Sequence, residues 1–195
     1  LQVNESLVRD RQRLSKIKLT NMSQKERQWL NQMMSTYKVT DEQAPFTDDQ
    51  LRELMLRVDA IPPSLALVQS AIESGWGRSR FAKQGNAMFG QWTTSGGIKA
   101  KGSDARLAAF PDPRESLKAY CLNLNTHPSY AQFRTARAEM RMANRPLSGT
   151  KLAEYLGSYS EKGDEYVELV IGMIERDRLE IADIAQLATG PIVVF

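Results

Sequence analysis

Residues 60–72 carry no charged side chain, and the first charge to follow them is the carboxylate of Glu73. Pro62 and Pro63 open the stretch, Leu65, Val68, Ile72 and Trp76 recur at spacings of three and four, and Gly75 and Gly77 close it. Proline at the first helical position, one apolar face of helical period and glycine past the last turn together predict a buried helix with those four residues on one side. A carboxylate at the end of so apolar a helix is costly unless it is paired, hydrogen-bonded or protonated. The rest of the chain has to cover this helix and to provide an environment for one acid.

Further helices are at hand. Ser23 with Glu26, and Thr47 with Gln50, are capping-box patterns that start helices before QWLNQMMSTY and LRELMLRV. Asp112, Pro113 and Glu115 open another, with Asp112 as N-cap, Glu115 as its capping-box partner and Leu117, Tyr120, Cys121 and Leu124 on one side. A last helix is predicted from about Tyr166, with Val167, Val170, Ile171 and Ile174 inward. Tyr155 and Tyr166 have apolar neighbours and read as core. Only residues 91–110 break the helical period, and a Gly-Gly turn between Trp-Thr-Thr and Ile-Lys-Ala predicts a small β-hairpin there. The fold class is mainly α, a helical bundle with a short β-hairpin insertion next to Glu73, and the junction of the two is where a cleft is expected.

A chain of 195 residues, 42% hydrophobic and 25% charged, fits one globular domain of ordinary size. Residues 38–45 read as a connector, which gives an N-terminal helical arm (1–45) packing on the domain, the domain itself (46–185) and a C-terminal tail (186–195). The arm sets Arg9, Arg11, Arg13, Lys16 and Lys18 against Glu5 and Asp10, a solvated helix face, with attraction to an anionic polymer or lipid as the alternative. A net charge of +3 permits an anionic polymer and gives no argument for nucleic acid. With one cysteine, Cys121, and one histidine, His127, an internal disulfide, a Cys-cluster metal site and a multi-histidine site are excluded. Cys121 reads as inert core and His127 as a turn cap. No run approaches the ~20 apolar residues of a membrane span. The chain opens at LQVNESLVRDRQRL, within what reads as a helix, so a targeting segment is expected to lie outside it, and membrane contact only through such a segment.

The string AIESGWGRSRFAKQGNAMFG, followed by AFPDPRESLKAY and LGSYSEKGDEY, resembles the glucosaminidase-domain peptidoglycan hydrolases, glycoside hydrolase family 73, and within them the proteobacterial Bax group. The similarity runs over residues 61–178. E-S-G-W-G combined with N-x-x-F-G carries it, because E-S-G alone is shared with lytic transglycosylases of the same lysozyme-like fold. The resemblance implies a lysozyme-like α+β fold and an endo-β-N-acetylglucosaminidase acting on the β-1,4 bond after N-acetylglucosamine. It also implies a peptidoglycan glycan strand as partner, no cofactor or metal, a monomer, and a periplasmic or cell-envelope location in a bacterium. The alternatives are a lytic transglycosylase, which leaves an anhydro product, and a non-catalytic wall-binding protein, which would not need Glu73.

Glu73 is the candidate general acid. Cleaving a glycosidic bond needs a proton on the leaving oxygen, and a carboxyl at an apolar helix end, here beside Ile72 and Trp76, has its charged form disfavoured. From position alone, a helix-terminal glutamate bonded to backbone amides is an equal reading. Most glycosidases add a second carboxylate. Asp112 and Glu115 read as capping residues. Asp104, in the polar insertion, is the candidate second catalytic group, with a turn or solvated-surface role as the alternative. Residues 99–106 are shorter than the family's usual β-lobe, so participation by the substrate's own 2-acetamido group is the other route. Tyr159, one residue displaced from the tyrosine of the family's G-Y-A-T segment, is expected to orient that acetamido group unless it merely packs behind a helix. Trp76, Asn86, Phe89, Gly90 and Trp92 are the candidate substrate contacts, with Phe89 equally readable as core.

Overall fold

The computed structural model describes residues 1–39 and 46–186. The expected connector and tail lie outside the described residues, except for Lys38, Val39 and Gln186. Nine helices are described: α1 (Gln2–Leu14), α2 (Gln24–Thr36), α3 (Asp48–Arg57), α4 (Pro63–Ser74), α5 (Arg80–Gly85), α6 (Pro113–Thr126), α7 (Ala131–Met142), α8 (Gly149–Ala153) and α9 (Asp164–Arg176). Three two-residue strands stand between α5 and α6: β1 (Trp92–Thr93), β2 (Ile98–Lys99) and β3 (Arg106–Leu107). The protein is therefore mainly α with a small antiparallel sheet, as the sequence predicts. No described helix is long and apolar enough to cross a membrane.

The apolar helix whose one charge is Glu73, α4, is the central one. Leu65 and Val68 of α4 are fully buried, and α8, α9 and the 3-10 turn Leu179–Ile184 pack on it. Pro62, at its N-cap, offers no side chain to its free amides. That work falls to Asp183, whose carboxylate accepts from the Ser64 N–H and Oγ and from the Gly149 N–H, each at 2.8 Å, and so holds the first turns of α4 and α8 together. Gly149 is required there, because a Cβ would fall 1.9 Å from Ser64 Oγ.

Both capping boxes form, at Ser23/Glu26 and at Thr47/Gln50. Asp112 caps α6 through the Glu115 N–H at 3.0 Å, but the reciprocal bond is not made: the Glu115 carboxylate turns to Lys118 at 2.6 Å. Tyr120, Cys121 and Leu124 lie in the core, as do Val170 and Ile174 of α9. Tyr155 does not, being 37% exposed at the end of α8, where the chain has left the helical face that buries Leu152. His127 Nδ1 accepts from the Ser129 N–H and caps the 3-10 turn Pro128–Tyr130.

The N-terminal helices belong to the same core, through Leu7, Leu14, Leu30, Met33 and Met34. The reading of their basic residues as a solvated face is corrected at Arg11; Arg13 keeps its exposure. Arg11 bonds the carbonyls of Met55 and Val58 and lies 3.5 Å from the buried Asp59, and Arg13 stacks over the Trp29 ring at 3.9 Å. An amphipathic helix that packs on a domain draws in the cations at its flank wherever buried carbonyls or a carboxylate need donors.

The predicted pairing of the insertion is also corrected. Trp92 and Thr93 do not pair with the strand after the Gly-Gly turn. β3 lies between β1 and β2, antiparallel to both, with Trp92 and Ile98 each opposite Leu107. Residues 94–97 instead carry the chain over the end of β3. Gly97, at φ +70, lets the backbone pass where a Cβ would sit 2.1 Å from the Leu107 carbonyl oxygen. A central strand shared by two partners gives short strands more ladder bonds than an isolated hairpin would.

Candidate active site

α4 ends in a Schellman turn. The Trp76 N–H reaches back to the Ala71 carbonyl at 2.7 Å and the Gly75 N–H to Ile72 at 3.2 Å, with Gly75 left-handed at φ +58. Glu73 therefore sits in the last turn of the helix. Trp76 is not on the buried face its spacing predicts: the left-handed turn carries it off the helix, 61% exposed and itself at φ +58. A tryptophan in that backbone region is strained, and such strain concentrates at functional sites.

Glu73 is half-buried, and its two oxygens meet different surroundings. Oε1 accepts from the Tyr166 hydroxyl at 3.1 Å. Oε2 faces Gly90, where a Cβ would lie 3.1 Å away. Burial pushes the Glu73 carboxyl above its ordinary value, and the Tyr166 bond only partly offsets this. The negative end of the α4 dipole acts in the same direction as burial. Among the described residues no Lys or Arg pairs with Glu73.

Tyr166 is where the sequence reading missed a site residue. It is core, 3% exposed, yet its hydroxyl reaches Glu73. Gln69 donates to that hydroxyl at 3.0 Å, and Tyr120 donates to Gln69 Oε1 at 2.6 Å. A signal for this was present: Gln69, the one amide in a run otherwise of apolar residues and two serines, lies one helical turn before Glu73 on the same face. Tyr159, in the 3-10 turn Gly157–Tyr159, stacks on Tyr166 with centroids 5.6 Å apart and donates to the Phe89 carbonyl at 3.2 Å. Burial raises the hydroxyls of Tyr159 and Tyr166 far above the usual phenol range, so both stay neutral.

The other candidates divide. Gly90 touches the acid, as described. Trp92 is 67% exposed on β1, just beyond Gly90 in the chain. Two candidates have structural roles. The Phe89 ring is buried, stacked on Tyr120 at 4.1 Å, and contributes its carbonyl rather than an aromatic face. The Asn86 amide donates to the carbonyls of Phe110 and Pro111, at 2.9 and 3.2 Å, tying the end of α5 to the exit of the sheet. Asp104 is not brought to Glu73: it stands in the loop after β2, fully exposed, with Lys99 Nζ at 2.7 Å. The turn that the sequence favoured for it projects the carboxylate into water.

Glu73 thus stands at the junction of a helix end and a small sheet, with a neutral hydroxyl on one oxygen and Gly90 beside the other. The Glucosaminidase family model, described as mannosyl-glycoprotein endo-beta-N-acetylglucosaminidase, matches residues 49–179, and the chain belongs to this family. Protein bax of Escherichia coli (strain K12) is 38% identical over 130 residues, which span 66% of this chain and 47% of that protein. The chain thus spans about half the length of that curated relative. The catalytic domain of the autolysin Auto from Listeria monocytogenes covers 91% of this chain and 96% of its own, with 17% identity and a TM-score of 0.48.

Proposed function

We propose that this chain is a peptidoglycan hydrolase of the bacterial cell envelope, an endo-β-N-acetylglucosaminidase that uses Glu73 as general acid. One observation carries the reading: Glu73, in the motif that resembles the family's, is half-buried and raised above its ordinary pKa, and among the described residues it is bonded only by a neutral hydroxyl, with Gly90 beside Oε2. In that state it keeps a proton at a pH where an exposed carboxylate has lost it. The proton passes from Oε2 to the glycosidic oxygen as the C–O bond breaks, and the departing sugar leaves as an alcohol. The exposed indoles of Trp76 and Trp92 offer flat faces to sugar rings.

Digestion of purified peptidoglycan, read by mass spectrometry, tests this directly. Fragments with N-acetylglucosamine at the reducing end are expected. Anhydro products would replace the reading with a lytic transglycosylase, and binding without any cleavage would replace it with a wall-binding protein.

For the second half of the reaction, attack by the substrate's 2-acetamido oxygen on the anomeric carbon is favoured over a water activated by Asp104, because Asp104 is exposed and paired with Lys99. Asp104→Asn is then expected to lower kcat by less than about threefold, far short of the loss typical of a positioned acid or base. A loss as deep as that of a Glu73 variant would make Asp104 the positioned base. Tyr159 sits against Tyr166 on the same wall, and its oxygen retains a lone pair for an acetamide N–H. Tyr159→Phe is expected to lower kcat and kcat/KM together with little change in KM, the pattern of a group that acts in the transition state. A rise in KM alone would assign it to ground-state binding, and unaltered kinetics would remove it from the site.

A further inference from the structure

We infer that Tyr120 and Gln69 are positioning residues that decide which oxygen of Glu73 carries the transferable proton, by turning the Tyr166 O–H onto Oε1 and leaving Oε2, beside Gly90, as the acid oxygen. The inference rests on Glu73 being the general acid.

Three hydrogen bonds run in one direction, from Tyr120 to Gln69 Oε1, from Gln69 Nε2 to the Tyr166 oxygen and from Tyr166 to Glu73 Oε1, at 2.6, 3.0 and 3.1 Å. The first three residues are 1%, 0% and 3% exposed, so water does not reach in to reverse a bond. The direction is set at the far end. A tyrosine has one proton to give, and among the described residues Gln69 Oε1 is the acceptor placed for Tyr120. If the Gln69 amide were turned over, its NH2 would face Tyr120, and the Tyr120 proton would be buried without an acceptor, a costly arrangement. With the amide so fixed, Gln69 occupies the Tyr166 oxygen as donor, and the Tyr166 proton has only Glu73 left to receive it. In the reversed chain Tyr166 would donate to Gln69 and accept from Glu73. The acid proton would then be held on Oε1, against the core and away from Gly90.

The titratable groups that face this acid are few. Tyr166 comes from α9 and Tyr159 from the 3-10 turn Gly157–Tyr159. Tyr120 on α6 and Tyr130 in the 3-10 turn Pro128–Tyr130 stand close behind them. All are phenols held neutral by burial. The orientation of one amide is thus not overridden by a nearby charge.

Tyr120→Phe keeps the ring that stacks on Phe89 and deletes the proton that locks Gln69. Gln69→Met keeps the volume and deletes both of its bonds, and serves as the second variant should the first fail to fold. In each, the carboxylate of Glu73 loses a polarised donor, while its neutral form gains the freedom to donate to Tyr166. The Glu73 carboxyl, followed by 13C NMR on carboxyl-labelled protein, is expected to titrate about half a unit or more higher than in the wild type. The alkaline limb of kcat/KM on peptidoglycan fragments should move with it, and kcat should fall several-fold as protons are diverted to Oε1. A role confined to packing would leave both pH readouts where they were, and that result in a folded variant overturns the inference even when Glu73 is the acid. A moved titration with an unmoved kinetic limb overturns it too. Wild-type protein that does not cut the glycan, or a Glu73→Gln variant that still does, overturns instead the reading of Glu73 on which the inference stands.

Discussion

Glu73→Gln is expected to reduce hydrolysis of peptidoglycan by about 10²–10⁴-fold in kcat while the protein stays folded. Glutamine keeps the shape of the side chain and an oxygen for the Tyr166 bond, but has no proton to deliver. The same substitution should raise thermal stability near neutral pH. Burial lifts the Glu73 carboxyl above its ordinary value, so from about pH 4 upward, through its folded-state pKa, the unfolded chain gives up a proton that the folded one retains. Folding stability therefore falls as pH rises across that window, and above it the native state carries the cost of a half-buried charge. Glutamine carries none. The gain in Tm should be present at pH 7 and vanish below about pH 4, where both states of the wild type are protonated. Melting curves at the two pH values, beside the digestion assay, check both halves. A well-folded variant with more than a tenth of wild-type activity would falsify the acid assignment.

Arg137→Met is expected to be the most destabilising of these changes, at about 3–5 kcal/mol, because it strips a buried amide oxygen and several buried carbonyls of their charged donor, at about 1–3 kcal/mol for each group left unsatisfied. Arg137 is 1% exposed and donates to Asn125 Oδ1 at 2.7 Å and to the carbonyls of Leu56 and Ala60 at 2.9 and 3.1 Å. It closes the end of α3 and ties it to α6 and α7. The buried Asp59 lies beside it. Burial pushes the Asp59 carboxyl up, but the bonds from Arg141 and the charges of Arg137, Arg141 and Arg11 outweigh that and hold it below its usual value. Methionine fills most of the space and satisfies none of these groups. For a chain of this length the loss corresponds to a fall in Tm on the order of 10 °C. A fall under about 2 °C in a calorimetric scan would show that water or Arg141 takes over the work. Asp59 is charged only above its lowered pKa, so the ionic part of this network is present at neutral pH and is lost as the solution is acidified through that value.

The sequence on its own determined the features whose causes lie within one or two helical turns. Pro63 and Gly75 bound α4, Ser23, Thr47 and Asp112 start their helices, and Glu73 stands at the end of the apolar helix because capping and periodicity are local and print directly on residue order. The motif then singles out Glu73 as the candidate acid. Periodicity names a face but not what that face will meet. Nothing in residue order distinguishes Arg11 from the exposed Arg9 and Arg13, or the buried Arg137 from the partly exposed Arg141 one turn on. Tyr166 reads as core because it is core, and that it also holds Glu73, 93 residues away, follows only when α9 is laid against α4. The same holds for Asp183, which caps a helix 119 residues upstream, and for β3, which enters between two strands that local turn chemistry would have paired. Trp76 continues the apolar spacing in sequence and leaves it in space, because one left-handed glycine redirects the chain. In each case the deciding interaction is a hydrogen bond or a packing contact between distant segments, and its partner is chosen by how the helices assemble around α4.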